Sequence, residues 1–383
     1  MEREQAVKLM HQLLRRVVDL RGSDLFITAG FAPAIKIDGD LCAQADRKLT
    51  PEESAVLVRA VMNDRQAREY DATRECNFAI APPGIGRFRV SAFVQQGCSA
   101  CVVRLVNAYI PTLEGLQLPD ALAELALLPR GLVLVAGGTG MGKSTTLAAM
   151  VAHRNAHSRG HIITLEDPVE FVHPHGGCIV TQREVGVDTE SWQAALRNTL
   201  RQAPDVILIG EIRDRETMEY AVQFVETGHL VLSTLHANSA NQALDRVINL
   251  VPPERREQLL MDLSLNLRGL VAQRLVTRED VPGRIAAVEI LLHSPLVQDL
   301  VFKGEVDRLK ELMARSNRLG MKTFDQSLFE LYEARLVSYE EALRHADSKN
   351  ELRLRIKLES RRVDAALDAT QGLSLVAEEP AHG

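Results

Sequence analysis

The chain predicts an α/β fold built on a doubly wound, mostly parallel sheet, with a smaller α+β domain ahead of it. Three observations carry that expectation. From about residue 119 onward, short apolar runs alternate with helical periods, the pattern of parallel strands covered by helices. A glycine-rich segment at 137–144 follows one of those apolar runs and precedes a helix-forming stretch, as a loop does at the carboxyl edge of such a sheet. The first hundred residues read differently, with period-two segments interleaved with helical ones.

The elements follow in order. Residues 7–20 have helical periodicity, 24–28 and 33–37 suit short strands, and Asp38-Gly39 signals a turn. Thr50-Pro51-Glu52-Glu53 is a capping box with proline at the first helical position, opening a helix towards Tyr70. Residues 87–94 and 101–106 alternate with period two around Gly97 as a hairpin, with arginines on one side. This first domain is expected over 1–106, and a proline-marked linker over 107–118. In the second domain, 119–358, strands are expected at 131–136, 161–165, 205–209 and 229–233. The helices between and after them are expected at 143–156, 190–202, 215–226 and 239–249. Past 252 the pattern is mostly helical with one strand at 284–291, and 359–383 is a tail without a clear apolar period.

Composition narrows the function classes. A net charge of -6 over 383 residues argues against a broad nucleic-acid footprint and leaves room for a local basic patch. No apolar stretch approaches the roughly 20 residues of a membrane span, and the start lacks the features of a signal peptide, so a cytosolic protein is expected. Five scattered cysteines do not make a disulfide framework. The Cys98-Ser99-Ala100-Cys101 pair has no second pair to complete a zinc site and is expected in a β turn.

Chemistry concentrates in a few places. Gly137, Gly138, Thr139, Gly140, Met141, Gly142, Lys143 and Ser144 spell G-x-x-x-x-G-K-S, with Thr145 next, and the preceding strand gives this pattern its mechanism. Backbone N–H groups of such a loop converge on phosphate oxygens, the lysine adds a positive charge, and the serine hydroxyl serves Mg²⁺. A nucleoside triphosphate, ATP with Mg²⁺, is the expected ligand. Glu211 ends the apolar run 206–209 at a position suited to Mg²⁺ through its water shell, or to plain solvation. Glu166, Asp167 and Glu170 crowd the end of another run; they position cation or water, or form an exposed turn. His229 and His236 flank the run 230–235, and either senses a phosphate or fills a polar niche. Arg89 and Arg104 on the hairpin read more simply as decoration of an exposed strand face.

Four segments together resemble the secretion ATPase family that drives type II secretion and type IV pili: the loop at 137–144, the acidic segment 164–171, Gly210-Glu211, and 226–236 with its two histidines. Finer features, including Gly22-Ser23-Asp24-Leu25, Arg87-Phe88-Arg89-Val90 and Thr181-Gln182-Arg183-Glu184-Val185, resemble the pilus retraction branch, PilT and its paralogues. The resemblance covers nearly all of 1–358. It implies a PAS-like first domain, a RecA-like second domain and a hexameric ring. It casts Glu166 as the water-orienting glutamate, Glu211 as the Walker B glutamate, His229 and His236 as a paired histidine box, and Arg89 and Arg104 as arginines that reach nucleotide.

The same resemblance implies twitching motility by pilus retraction, with a PilT-like ATPase and an inner-membrane platform protein as partners. Residues 296–303 depart from the branch's Ala-Ile-Arg-Asn-Leu-Ile-Arg-Glu motif, since Gln298 and Phe302 stand where it has arginines. That departure sets the chain nearer the paralogues than PilT itself. It also opens an alternative, an accessory or scaffold ring subunit of minor turnover. One cysteine, Cys178, is present where extension ATPases carry a four-cysteine insertion.

Overall fold

A computed structural model describes residues 2–37, 39–106 and 109–362. Asp38 of the expected turn, Asn107 and Ala108 of the expected linker, and 363–383 of the expected tail lie outside the described residues. The chain divides into two compact units. One comprises residues up to Pro111 with Val151–Gly210, and the other Thr112–Met150 with residues from Glu211 on.

Helix α1 (Arg3–Asp19) buries Ala6, Met10, Leu13, Leu14 and Val17, a stripe at spacings of three and four. Strands β1 (Asp24–Ile27), β2 (Ala34–Ile37) and β3 (Asp40–Ala43) come next, β3 with all four residues exposed. The Thr50 capping box forms as the residues require, Thr50 and Glu53 exchanging side-chain and backbone bonds at the start of α2 (Pro51–Ala60). The single helix expected towards Tyr70 is two helices. Asn63 makes a second capping box with Gln66 and starts α3 (Asp64–Thr73) afresh.

Strands β4 (Glu75–Ile80), β5 (Phe88–Gln95) and β6 (Cys98–Leu105) complete an antiparallel sheet of order β3-β2-β1-β6-β5-β4. Its core joins Leu14, Leu57 and Val58 to Leu25, Phe88 and Val103. The β5–β6 turn falls at Gln96 and Gly97, both with positive φ, so the C-x-x-C pair lies in β6 rather than in the turn. Residues three apart on a strand face opposite ways. Cys101 is buried, its thiol pushed up to about 12, while Cys42 on β3 is exposed.

Beyond residue 111 come α4 (Ala121–Leu127), β7 (Gly131–Ala136), α5 (Lys143–His157), β8 (Gly160–Glu166), β9 (Cys178–Glu184), α6 (Trp192–Thr199) and β10 (Val206–Ile209). They are followed by α7 (Arg215–Glu226), β11 (Leu230–Leu235), α8 (Ala240–Ile248), α9 (Pro253–Asn266), β12 (Leu267–Thr277) and β13 (Arg284–Leu292). Five more helices close the described chain: α10 (Pro295–Phe302), α11 (Leu309–Arg315), α12 (Phe324–Glu333), α13 (Tyr339–His345) and α14 (Lys349–Glu359).

In the first unit β10, β8 and β9 run parallel. In the second unit β11, β7 and β12 run parallel and β13 returns antiparallel to β12. Strands β7 and β11 are buried at every residue, as expected of parallel strands covered on both faces. Neither β9 nor β12 is expected from the sequence reading, which takes the chain past 252 as mostly helical with one strand at 284–291. No helix among the described residues is long and apolar enough to cross a membrane.

Candidate nucleotide site

The loop expected at 137–145 leaves the end of β7 and enters α5 in the second unit. Two of its glycines are required by what lies against them. A Cβ on Gly137 would stand 2.9 Å from the Gln273 carbonyl oxygen. At Gly142, φ is +83° and a Cβ would stand 2.8 Å from Gln273 Nε2. Thr139, Gly140 and Ser144 are exposed. Lys143 Nζ donates to the carbonyls of Gly137 and Gly138, each at 2.9 Å. Burial lowers its pKa, and the Glu211 carboxylate opposes that shift. The first N–H groups of α5 stand at the same end of the helix, where backbone dipoles favour an anion.

Two backbone bonds bring the other predicted residues of this unit to the loop. Gly137 N–H donates to the Leu235 carbonyl at 3.2 Å, and Ile212 N–H to Thr234 at 3.0 Å. Glu211 and His236 therefore stand at the loop's edge of the strands. They meet each other: His236 Nε2 lies 3.2 Å from Glu211 Oε1, and Arg213 Nε donates to Glu211 Oε2 at 2.7 Å. Ser144 and Glu211 are the residues of this unit suited to Mg²⁺, which in phosphate sites takes one or two protein oxygens and leaves the rest to phosphate and water. Among the described residues no cluster of three or more His, Cys, Asp or Glu exists that would hold an ion by protein alone, and such a site does not need one.

His229 is elsewhere. It precedes β11, its carbonyl accepting from Gly131 N–H at the start of β7, and its Nδ1 lies within bonding distance of Thr227 Oγ1 and the Phe224 carbonyl. A strand of six residues separates it from His236, roughly 20 Å at a strand's rise. Within one chain the two histidines serve opposite edges.

In the first unit, Glu166 ends β8 with its carboxylate enclosed. Burial raises its pKa. Hydrogen bonds from Thr164 Oγ1 at 2.6 Å and Gln182 Nε2 at 3.3 Å work the other way. A carboxylate held this way is a poised proton acceptor. The hairpin arginines are paired with acids. Arg89 Nη2 donates to the Val169 carbonyl and lies 3.7 Å from Glu170, and Arg104 Nε donates to Asp24 at 2.7 Å. Arg87, just ahead of β5, bonds buried Glu184 at 3.1 Å and lies 3.6 Å from Asp188. A cleft of about 450 Å³ in this unit is lined by Phe78, Arg89, Arg104, Asp167 and Glu184.

The second unit has its own pocket, about 330 Å³, bordered by Leu116, Gly142, Thr145, Leu275, Arg278 and Ile285. It abuts the loop and the first turn of α5, and its lining mixes apolar Leu116, Leu275 and Ile285 with polar Thr145, Arg278 and Arg284, a combination that suits a flat polar ring attached to a bound phosphate chain. The sequence reading missed Gln273 and Arg213, and it quoted Arg87 and Glu184 within segments of the family resemblance without giving either a site role. Arg87 and Arg213 had a signal, each lying two residues from a residue it singled out; Gln273 had none.

The chain matches the type II/IV secretion system protein family over residues 2–323. It is 56% identical over 365 residues to the type IV pilus ATPase PilU of Pseudomonas aeruginosa, spanning 95% of this chain and 96% of that protein. To the type IV pilus retraction ATPase PilT of the same organism it is 40% identical over 320 residues, 84% of this chain and 93% of that one. The crystal structure of the pilus retraction motor PilT with bound ADP superposes with a TM-score of 0.83 at 38% identity, covering 90% of this chain and 98% of that one.

Proposed function

The chain belongs to the type II/IV secretion system protein family, and we propose that it is an ATP hydrolase of a type IV pilus motor, acting with a PilT-like ATPase in retraction and twitching motility. The observation that carries this reading is the loop at 137–145, braced on β12 and joined by Glu211 and His236 at one strand edge. Its support from outside is the similarity to PilU and PilT over most of their lengths.

In this reading the loop amides and Lys143 hold the β and γ phosphates of ATP, and the pocket beside Thr145 takes the nucleoside. Glu166 accepts the proton of the attacking water or orients it, a role its enclosed, pKa-raised carboxylate suits. When bound, Mg²⁺ neutralises charge on the phosphates, with Ser144 and Glu211 as the residues that would hold it. His236 fixes the Glu211 carboxylate. Arg89 and Arg104 supply positive charge once their acidic partners release them.

The same reading takes 1–106 as a PAS-like domain, 107–118 as a linker, 119–358 as a RecA-like ATPase domain and 359–383 as a tail. It has the chain work as a homo-hexamer at the cytoplasmic side of the inner membrane, against a pilus platform protein. His229, at the far end of β11 from its own loop, then serves a neighbouring subunit or the ring's structure.

Lys143→Ala should abolish phosphate release by the purified chain; release at the wild-type rate would sink the hydrolase reading. The replaced residues Gln298 and Phe302, the latter 53% exposed on α10, favour a second reading as an accessory ring subunit. A Lys143→Ala strain that still retracts pili would select that second reading, and one that has lost retraction would select the first.

A further inference from the structure

Strand β12 outlasts its neighbour. Its pairing with β7 ends at Ala272 opposite Ala136, where β7 gives way to the phosphate loop, but β12 runs on through Thr277. The two residues just past that last pair, Gln273 and Arg274, point to opposite faces of the strand. They reach two different loops.

Gln273 is 3% exposed and uses both ends of its amide. Nε2 donates to the Met141 carbonyl at 2.8 Å, and Oε1 accepts from Thr146 Oγ1 at 2.7 Å. One side chain thus ties the last bend of the phosphate loop to the first turn of the helix that follows. The strand's next amide adds a brace, Leu275 N–H lying 3.4 Å from Met141 Sδ. Thr146 is 1% exposed, so its hydroxyl has no solvent to turn to if Gln273 is lost.

Arg274 faces the other way. Nη2 donates to the Asn238 carbonyl at 3.1 Å, two residues past His236. Nη1 donates to the His345 carbonyl at 2.8 Å and lies 2.7 Å from Asp347 Oδ1, while the guanidinium lies 3.9 Å from the Phe324 ring centroid. Lys310 holds the second Asp347 oxygen at 2.7 Å. The loop that carries His236 to Glu211 is therefore fastened, through one arginine, to α12 and to the link between α13 and α14.

We propose that the tip of β12 is a positioning strut for nucleotide turnover, Gln273 setting the phosphate loop and Arg274 setting the 236–239 loop against the C-terminal helices. The inference rests on the phosphate-loop reading and adds a division of labour to it. Loss of the Gln273 bonds loosens the loop that grips phosphate and weakens affinity. Loss of the Arg274 bonds shifts His236 on Glu211 and slows turnover while the grip remains.

The test measures binding of a fluorescent ADP with Mg²⁺, and phosphate release, on the full chain and on variants that keep a cooperative wild-type melt. Gln273→Met keeps the side-chain length and removes both bonds; Thr146→Val removes one of them from the other side. Each should weaken nucleotide binding roughly tenfold, the scale of one buried group left unpaired. The double variant should be no weaker than the worse single one, because both sever the same link. Arg274→Met should lower kcat about tenfold with affinity within about twofold of wild type, and Asp347→Asn should lower kcat in the same direction by less.

Wild-type affinity retained in both Gln273→Met and Thr146→Val overturns the strut, as does full additivity in the double variant. An Arg274→Met effect confined to affinity overturns the division of labour. Where Gln273→Met fails to fold, Thr146→Val decides the first arm. A wild-type chain that binds no adenine nucleotide removes the phosphate-loop reading itself, a result distinguishable from failure of the strut alone.

Discussion

The phosphate loop of the second unit and the arginine cluster of the first hold their positive charge in different ways. Lys143 donates its hydrogen bonds to two neutral carbonyls of its own loop, with the Glu211 carboxylate acting on it through charge alone, so an arriving anion has only dipoles to displace. Arg87, Arg89 and Arg104 each lean on a carboxylate: Glu184 with Asp188, Glu170, and Asp24. An anion must win those guanidinium groups from existing charge-assisted bonds. On the proposed reading the loop binds at once, whereas the arginines would act only after an exchange of partners. Affinity and rate should therefore map onto different residues.

The largest expected effect separates the two regions most sharply. Glu166→Gln should lower phosphate release by on the order of 10² to 10⁴, the range for loss of a positioned proton acceptor, and leave nucleotide affinity in place. Weakened binding with unchanged turnover would erase the distinction. Next, Arg89→Gln should lower kcat by on the order of 10² and spare affinity, and Glu170→Gln, which removes the charged partner of Arg89, should not lower it. Equal losses in both variants would make the pair a structural tie.

A smaller effect tests the enclosed carboxylate through pH. Burial raises the Glu166 pKa, and the Thr164 hydroxyl holds it down by donating to the ionised form. Turnover that needs the ionised form should fall as pH drops through a value above the ordinary glutamate range, and Thr164→Val should move that acid limb to higher pH. A limb that stays in place in the variant would detach it from Glu166.

The smallest concerns stability. Burial depresses the His173 pKa from 6.5 to about 4, so the folded chain keeps it neutral where the unfolded chain would protonate it. Its contribution is complete above pH 6.5 and is lost as pH falls towards about 4. Melting temperature should decline across that window, and His173→Gln should flatten the decline.

The sequence made the loop legible because its chemistry is local: glycine spacing, one lysine and one serine after a buried strand need no tertiary information. Glu166 and Glu211 were legible because each ends an apolar run. Gln273 was not, since its partners Met141 and Thr146 lie 132 and 127 residues away and meet it only when β12 aligns with β7. Strand β12 itself hid behind an interior glycine, Gly269, and charged Arg268 and Arg274, which break a plain alternation. The split between α2 and α3 was readable in Asn63 and Gln66, a second capping box overshadowed by the periodicity around it. The separation of His229 from His236 follows from strand length, yet their shared segment suggests proximity.

The distribution of sulfur gives the protein an unplanned spectroscopic handle. Thiols react as thiolates, and burial drives the Cys76, Cys101 and Cys178 groups away from that form, Cys101 up to about 12. Cys98 is half-buried, leaving Cys42 as the exposed cysteine, on an edge strand whose four residues are all exposed. A maleimide dye added in limited amount should therefore settle on Cys42 first, giving a fluorescent report from the native chain without removing a single cysteine.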